Sequence, residues 1–402
     1  MGRILIFTGK GGVGKTSVAA AHALKSAMEG CRTLLVSADM AHNLGDIFCT
    51  ETGGTATSAA ENLDLLELDP DTVMREEFPQ ANRALMKLFG GSGYSAIDSG
   101  EDAPIPGLET LFALLKIMKI YQSGAYERIV VDCAPTGETL SLLKLPELLA
   151  WYMEKFFPVG KAMVRVLSPL AKAKYHVTLP DRVAMDEMEQ LHATLMELQE
   201  LLKDPEICSV RLVCIPEKMV VEETKRNYMY LNLYRYQVDG VYINRILPPA
   251  ADNDFLQRWR TIQRGYIEEL ERVFADIPIT RIPWYPSEVR GIQAVQRLCS
   301  EVLTAEDLFT VRVRTENETY EATAEGYCLV LRLQGATAEQ LRVYHRELDV
   351  EIKLNNISRC IPLPNTLRGA VLVDQRLENG ELRLFFRAKH HDSEGGEQQC
   401  GS

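Results

Sequence analysis

Arg3-Ile4-Leu5-Ile6-Phe7-Thr8-Gly9-Lys10-Gly11-Gly12-Val13-Gly14-Lys15-Thr16 is the stretch on which the fold turns. Its first five residues, Arg3–Phe7, form a short apolar run rich in β-branched character, the signature of a strand buried on both faces. Gly9 to Thr16 satisfies the pattern G-x-x-x-x-G-K-[ST], and Ser17 to Glu29 reads as a helix. A glycine loop between a strand and a helix lets backbone amides turn inward around phosphate, and the helix N-terminus adds partial positive charge. Lys15 is placed to reach the β/γ oxygens, and the Thr16 hydroxyl to ligate Mg. Gly9, Lys10, Gly11, Gly12, Val13, Gly14, Lys15, Thr16 and Ser17 are therefore the expected nucleotide-binding residues. Lys10 is surplus to an ordinary phosphate loop, so it either does special work or is a solvated loop lysine.

Outward from this loop, short apolar runs alternate with amphipathic stretches up to about residue 300. The expected strands are Arg3–Phe7, Thr33–Ser37, Leu63–Leu68, Arg128–Asp132, Arg211–Ile215, Gly240–Ile243 and Ile279–Ile282. The alternation predicts a doubly wound, mainly parallel α/β sheet. Helical patterns occupy about 71–90, 108–122 and 138–204, and the last is too long for a plain crossover. A helical insertion is expected at about 146–208. Past residue 306 the period changes to two, in TVRVRT, YCLVLRLQG, LDVEIKL and GELRLFF, which predicts a small all-β sandwich over 306–389. Residues 390–402 are polar and glycine-rich and are expected to form a disordered tail. The ATPase-type domain is thus assigned to 1–305.

The 402 residues carry a net charge of −12, which counts against nucleic-acid binding as the main role. No run approaches the roughly 18 uninterrupted apolar residues of a membrane span. With the strand starting so close to the first methionine there is no room for a leader, and a cytoplasmic location is expected. The nine cysteines are scattered without CxxC spacing, so packed thiols are expected rather than disulfides or a zinc knot.

Two carboxylates complete the residue-level picture. Asp39 follows the second strand, in Ser37-Ala38-Asp39-Met40-Ala41-His42-Asn43-Leu44-Gly45-Asp46, where an attacking water must be held. A helix or turn cap is the competing role for such an aspartate. Asp132 closes the apolar strand Ile129-Val130-Val131-Asp132 and is expected to join Thr16 in the Mg shell. The following Cys133-Ala134-Pro135-Thr136-Gly137-Glu138-Thr139-Leu140 combines a stiff and a permissive residue, suiting a loop that reports on the γ-phosphate.

GKGGVGKT, SADMAHNLGD and DCAPTGETLSLLKLP together resemble three motifs of the ArsA-like ATPases, which include arsenite-pump ATPases and tail-anchored-protein targeting ATPases. The likeness continues through Leu68-Asp69-Pro70, Cys214-Ile215-Pro216-Glu217, Ile243-Asn244-Arg245, and Ile282-Pro283 ahead of Glu288-Val289-Arg290-Gly291. It implies Mg-ATP hydrolysis in a homodimer. It also implies that Lys10 crosses to the partner's nucleotide, that Asp39 positions water, that Asn244 contacts adenine and that Glu217 reaches toward nucleotide. Taken alone, Asn244 is only a polar residue at a strand end and Glu217 a loop acid.

Departures from the family pattern are informative. The chain has one ATPase half and no cysteine cluster, unlike the arsenite-pump subunits, and no CxxC to share zinc across a dimer. Met40 and Glu138 replace the usual proline and histidine of the two switches. In the targeting branch the insertion forms a groove for a hydrophobic client, a membrane protein's transmembrane segment. The corresponding residues here, among them Trp151, Phe156, Phe157, Met163, Leu195 and Met196, fit either such a groove or an ordinary helical core. Residues 308–389 resemble the α-crystallin (small heat-shock) domain that some members carry, through Arg359-Cys360-Ile361-Pro362-Leu363-Pro364 and Asn379-Gly380-Glu381-Leu382. Client capture and release is the expected function. Energising an arsenite transporter, spatial positioning on DNA or membrane, and a non-hydrolysing chaperone scaffold are the alternatives.

Overall fold

Strand β1 (Arg3–Thr8) is buried along its whole length and lies in the middle of a sheet whose other strands cover both its edges. The computed structural model describes residues 2–38, 44–82, 108–133, 182–249, 253–304, 307–324 and 326–387. In the first unit the strands are β2 (Thr33–Ser37), β3 (Thr57–Ala60), β4 (Leu63–Glu67), β5 (Arg128–Asp132), β6 (Cys208–Cys214), β7 (Val238–Ile246) and β8 (Ile279–Pro283). They form an eight-stranded sheet in the order β3-β4-β2-β5-β1-β6-β7-β8. Every pairing is parallel except that of β3 with β4. The continuous apolar runs follow from helices covering both faces, which leave no solvated face to reward alternation. β3 escaped the sequence reading because TSAA offers neither bulk nor β-branched apolar pattern.

Helices α1 (Lys15–Met28), α2 (Leu44–Phe48), α3 (Pro70–Thr72, continued by a π-turn over Val73–Glu77), α4 (Leu108–Gln122) and α5 (Arg182–Lys203) follow in chain order. After them come α6 (Lys218–Leu233), α7 (Asp254–Val273) and α8 (Ile292–Val302). Of the expected insertion only its end, α5, is described; Trp151, Phe156, Phe157 and Met163 lie outside the described residues. On α5, Leu191, Leu195, Leu198 and Leu202 recur at helical spacing and are buried. α5 packs on β6 and α4. Leu195 is therefore core, and Met196 is half-buried. Among the described residues no helix is long and apolar enough to cross a membrane.

A charged network runs through the interior beneath the sheet. Asp239 accepts hydrogen bonds from Arg211 at 2.9 Å and from Arg3 at 3.2 Å. Arg211 also donates to the Tyr242 hydroxyl at 3.4 Å and to the carbonyl oxygen of Leu308. Tyr242 in turn meets His22 Nε2 at 2.8 Å, while His22 Nδ1 faces the Val18 carbonyl at 2.7 Å. The carbonyl can only accept, so Nδ1 carries the proton and Nε2 accepts from the tyrosine. Burial, reinforced by the nearby Arg211 charge, pushes the His22 pKa well below its ordinary value. The unfolded chain therefore takes up a proton below about pH 6.5 that the folded chain refuses, and stability falls as pH drops through that range. Between pH 6 and 5 the protein should lose up to roughly 1.4 kcal/mol more stability per unit than His22→Gln, as chemical-denaturation midpoints would reveal.

Five of the described cysteines, Cys133, Cys208, Cys214, Cys299 and Cys328, are buried. Burial pushes the thiols of Cys208 and Cys214 up to about 12, so both are inert packing groups.

Thr315 and Glu316 mark the division between the two compact units. The expected sandwich began at 306, but residues 311–317 form no strand, so TVRVRT is not the first strand of a sheet. Its chain is fastened to the first unit instead. The Arg128 guanidinium lies 4.6 Å from the Phe309 ring centre, and the Thr315 amide donates to Gln237 at 3.0 Å.

The second unit contains β9 (Glu318–Thr323), β10 (Gly326–Arg332), β11 (Leu341–His345), β12 (Asp349–Leu354), β13 (Ile357–Pro362), β14 (Val371–Glu378) and β15 (Glu381–Arg387). These make two antiparallel sheets, β14-β15-β10-β9 and β11-β12-β13. The sheets meet through His345 against Phe386, with ring centres 5.6 Å apart, and through Arg359 bonded to Glu318 at 2.7 Å. Asn379 and Gly380, with φ of 51° and 77°, form the two-residue turn that sets Glu378 opposite Glu381.

Candidate functional site

The C-terminal ends of β1, β2 and β5 are level with one another. Asp132 pairs in register with Phe7 on one side and Ser37 on the other. The Ala38 amide donates to the Asp132 carbonyl at 2.9 Å, and the Cys133 amide to that of Phe7 at 3.1 Å. These three strands therefore end together at one edge of the sheet, the edge at which parallel α/β sheets bind ligands. Asp132 itself is fully buried there. Asp39 lies outside the described residues, as does the second switch from Ala134 onward. What is described is the anchoring of the residue just before each.

Between β1 and α1 the phosphate loop is shaped by close contacts. A side chain at Gly9 would put its Cβ 2.1 Å from the Val213 carbonyl oxygen on β6. Gly12 and Gly14 take left-handed backbone angles, with φ of 79° and 94°. Gly14 also has Asn244 Nδ2 where a Cβ would be, at 2.4 Å. That amide donates to the Val13 carbonyl at 2.8 Å, while Asn244 Oδ1 accepts from the Arg245 amide at the same distance. So Asn244, at the end of β7, clamps the phosphate loop from the side. Gly14→Ala should cost at least tenfold in nucleotide affinity, because the left-handed angle and the Asn244 contact both oppose a methyl group. Isothermal titration with ADP would measure it.

The two lysines of the loop occupy different surroundings. Lys15 is buried at the start of α1. Lys10 is partly exposed, and its ammonium lies 3.5 Å from Glu223 Oε2 on α6. Glu217 caps α6 in extended conformation with an exposed side chain, one residue before the helix starts. Glu223 lies in Glu222-Glu223-Thr224-Lys225-Arg226, a stretch that shares the family likeness, but nothing local assigns this acid a role.

Beside the loop lies a cleft of about 720 Å³, with Gly14, Ser17, Asn244 and Arg245 on one side and Trp284 and Glu288 on the other. Its size lies within the range of small-molecule sites. The Trp284 amide donates to Ile246 at 2.8 Å and the Gly291 amide to Ile47 at 2.7 Å, fixing both ends of the wall. Trp284 remains half exposed in it, at 53%. Residues on both sides of Trp284 share the family likeness, but the tryptophan itself has no role in it. The available signal was a large aromatic ring in a proline-flanked loop, Pro283-Trp284-Tyr285-Pro286.

The donors expected to hold Mg are a hydroxyl, Thr16, and a carboxylate, Asp132. Both supply the hard oxygen that Mg prefers, and Asp132 sits at the strand end beside the loop, so the donor set fits the ion. Among the described residues no group of three or more His, Cys, Asp or Glu side chains is arranged to bind metal.

Comparison with known proteins agrees with this architecture. Residues 2–304 match the model of the anion-transporting ATPase family, ArsA. Residues 324–386 match the HSP20-like domain found in ArsA proteins. A Chlorobaculum tepidum protein with the provisional name arsenical pump-driving ATPase is 33% identical over 396 residues, covering 97% of this chain and 98% of that protein. A similarly named Aquifex aeolicus protein is 29% identical over 394 residues, covering 96% and 100%. The ATPase GET3 of Podospora anserina is 30% identical over 308 residues, covering 75% and 90%.

Proposed function

This chain belongs to the ArsA family of anion-transporting ATPases, and from that premise we propose that it is a homodimeric switch in which ATP binding and hydrolysis drive capture and release of a hydrophobic protein client in the cytoplasm. The observation carrying the reading is the division of labour between the two lysines. Lys15 is buried at the start of α1, whereas Lys10 is partly exposed and paired with Glu223 at 3.5 Å. A cation parked at the rim by a partly exposed carboxylate is cheap to release, since such pairs contribute little. When two copies close, Lys10 moves from Glu223 to the partner's terminal phosphate and stabilises charge developing there.

In this mechanism the loop amides and Lys15 grip the phosphates, and the nucleoside lies in the cleft beside Asn244, against Trp284. Asn244 keeps the loop in its gripping shape through Val13. Asp39 orients the attacking water, and Glu217 reaches toward nucleotide from the start of α6. Thr16 and Asp132 would hold Mg, which would supply positive charge that offsets the charge of the phosphates. Closing and opening are transmitted to the helical insertion, where the client binds.

The family name and the relatives named for arsenical pumps favour a second reading, an ATPase that energises a membrane anion transporter. One experiment separates them. The full chain is trapped with Mg, ADP and aluminium fluoride, and presented with a peptide carrying a single C-terminal transmembrane segment. Stable capture that ATP turnover reverses supports client handling. Failure to bind the peptide, together with turnover stimulated by arsenite, would replace it with the transporter reading.

A further inference from the structure

Glu67, the last residue of β4, is a buried acid that the mechanism above leaves without a role. Its Oε1 accepts hydrogen bonds from the backbone amides of Leu44, at 2.9 Å, and Gly45, at 3.3 Å. These amides open α2, and the first amides of a helix have no partner inside it. A residue just ahead of the helix commonly supplies an acceptor. Here one comes from 23 and 22 residues further along the chain, on a strand of the sheet.

The strand that supplies it matters. Glu67 pairs in register with Ser37 of β2, and Ser37 with Asp132 of β5, so the three residues form one row across the strand ends. The segment that includes Asp39 leaves this row at Ala38, whose amide donates to the Asp132 carbonyl at 2.9 Å. It comes back to the row at Leu44, through Glu67. Five residues, 39–43, separate the two attachments, so the reach of that span is set by where its ends are held.

We propose that Glu67 is a positioning residue for ATP hydrolysis: it fixes the far end of the Asp39 segment to the strand row that carries Asp132, and so sets where the water-orienting carboxylate stands relative to the terminal phosphate. The role rests on the reading of Asp39 given above. A carboxylate suits it, because one oxygen takes two amides and a charged acceptor bonds them more strongly than a neutral one.

The remainder of α2 is held without Glu67. The Ile47 carbonyl accepts from the Gly291 amide at 2.7 Å, and the Gly45 carbonyl from the Thr50 amide at 3.1 Å. Phe48 is buried, and a Cβ at Gly45 would come 2.8 Å from the Thr50 carbonyl oxygen. Asp46 and Ile47 line the cleft beside the phosphate loop. Losing the Glu67 acceptor therefore frees the start of α2 and leaves the cleft wall in place. Turnover should fall while nucleotide affinity holds.

Turnover at saturating Mg-ATP, measured beside ADP titration calorimetry on the full chain, tests this. Glu67→Met keeps the side-chain length and removes the acceptor. It should lower kcat about 100-fold, the scale of misplacing a reacting group by about 1 Å, with ADP affinity within about threefold of the wild type. Glu67→Gln retains an acceptor oxygen and should recover kcat to within about tenfold of the wild type. In an Asp39→Asn background Glu67→Met should cost less than about threefold more, because the group it positions is already gone. Should Glu67→Met fail to fold, Glu67→Asp draws the carboxylate back by one methylene and should likewise lose kcat with ADP affinity kept.

Equal losses of ADP affinity and kcat would make Glu67 a support of the cleft wall and overturn the proposal. Full additivity with Asp39→Asn overturns it too, as does a Glu67→Gln chain as slow as Glu67→Met. Wild-type kcat in Glu67→Met beside a slow Asp39→Asn sinks the proposal alone, whereas wild-type kcat in Asp39→Asn removes the reading of Asp39 and the proposal with it.

Discussion

Lys10→Ala should lower ATP turnover by about a thousandfold or more while leaving ADP affinity within a few-fold of the wild type. The magnitude is that of removing a cation supplied to the terminal phosphate only when the site closes. The asymmetry follows from placement. Lys15 is buried in the loop and serves ground-state binding, so Lys15→Ala should lose affinity together with rate. Lys10 is held by Glu223, and its interaction with phosphate would be made only in the closed dimer. Single-turnover kinetics beside ADP titrations would separate the two. Wild-type turnover in Lys10→Ala would remove the shared-site mechanism. Glu223→Gln refines the test, because a freed Lys10 should ease closure and raise the rate at low protein concentration.

Asp239→Ala should destabilise the ATPase unit by about 3–5 kcal/mol, a large share of the 5–15 kcal/mol that holds a domain together. Asp239 is fully buried and accepts from two guanidinium groups, Arg3 at 3.2 Å and Arg211 at 2.9 Å. Removing the carboxylate leaves both cations buried without a counter-charge, and Arg211 has no exposed surface through which water could compensate. Arg211 also holds the Leu308 carbonyl, so the segment leading to the second unit should loosen at the same time. Urea denaturation would show a lower midpoint, and limited proteolysis faster cleavage near 308–315. A change below about 1 kcal/mol would mean that the network is dispensable.

Strand positions were legible wherever burial on both faces left an unbroken apolar run. Thr33–Ser37 and Arg128–Asp132 have in the structure the bounds the sequence predicts. Legibility failed where pairing depends on a neighbour. β9 and β14 are mostly exposed strands without strong apolar alternation, and no residue of β11 is fully buried. Conversely TVRVRT alternates well yet forms no strand, because Arg128 and Gln237 of the first unit hold this segment there.

By itself the sequence determined the phosphate loop, the parallel sheet that carries it and the presence of a second, all-β unit, because each of these rests on local chemistry: glycine's backbone freedom, the period of apolar residues and the residues that turns demand. Only the tertiary structure decided that Asn244 clamps Val13, that Glu223 holds Lys10, that Trp284 walls the cleft and that Arg3, Arg211 and Asp239 share one buried network. Each of those joins residues far apart in the chain, and whether a charged or aromatic side chain meets a partner or water is set by packing, which no local pattern encodes.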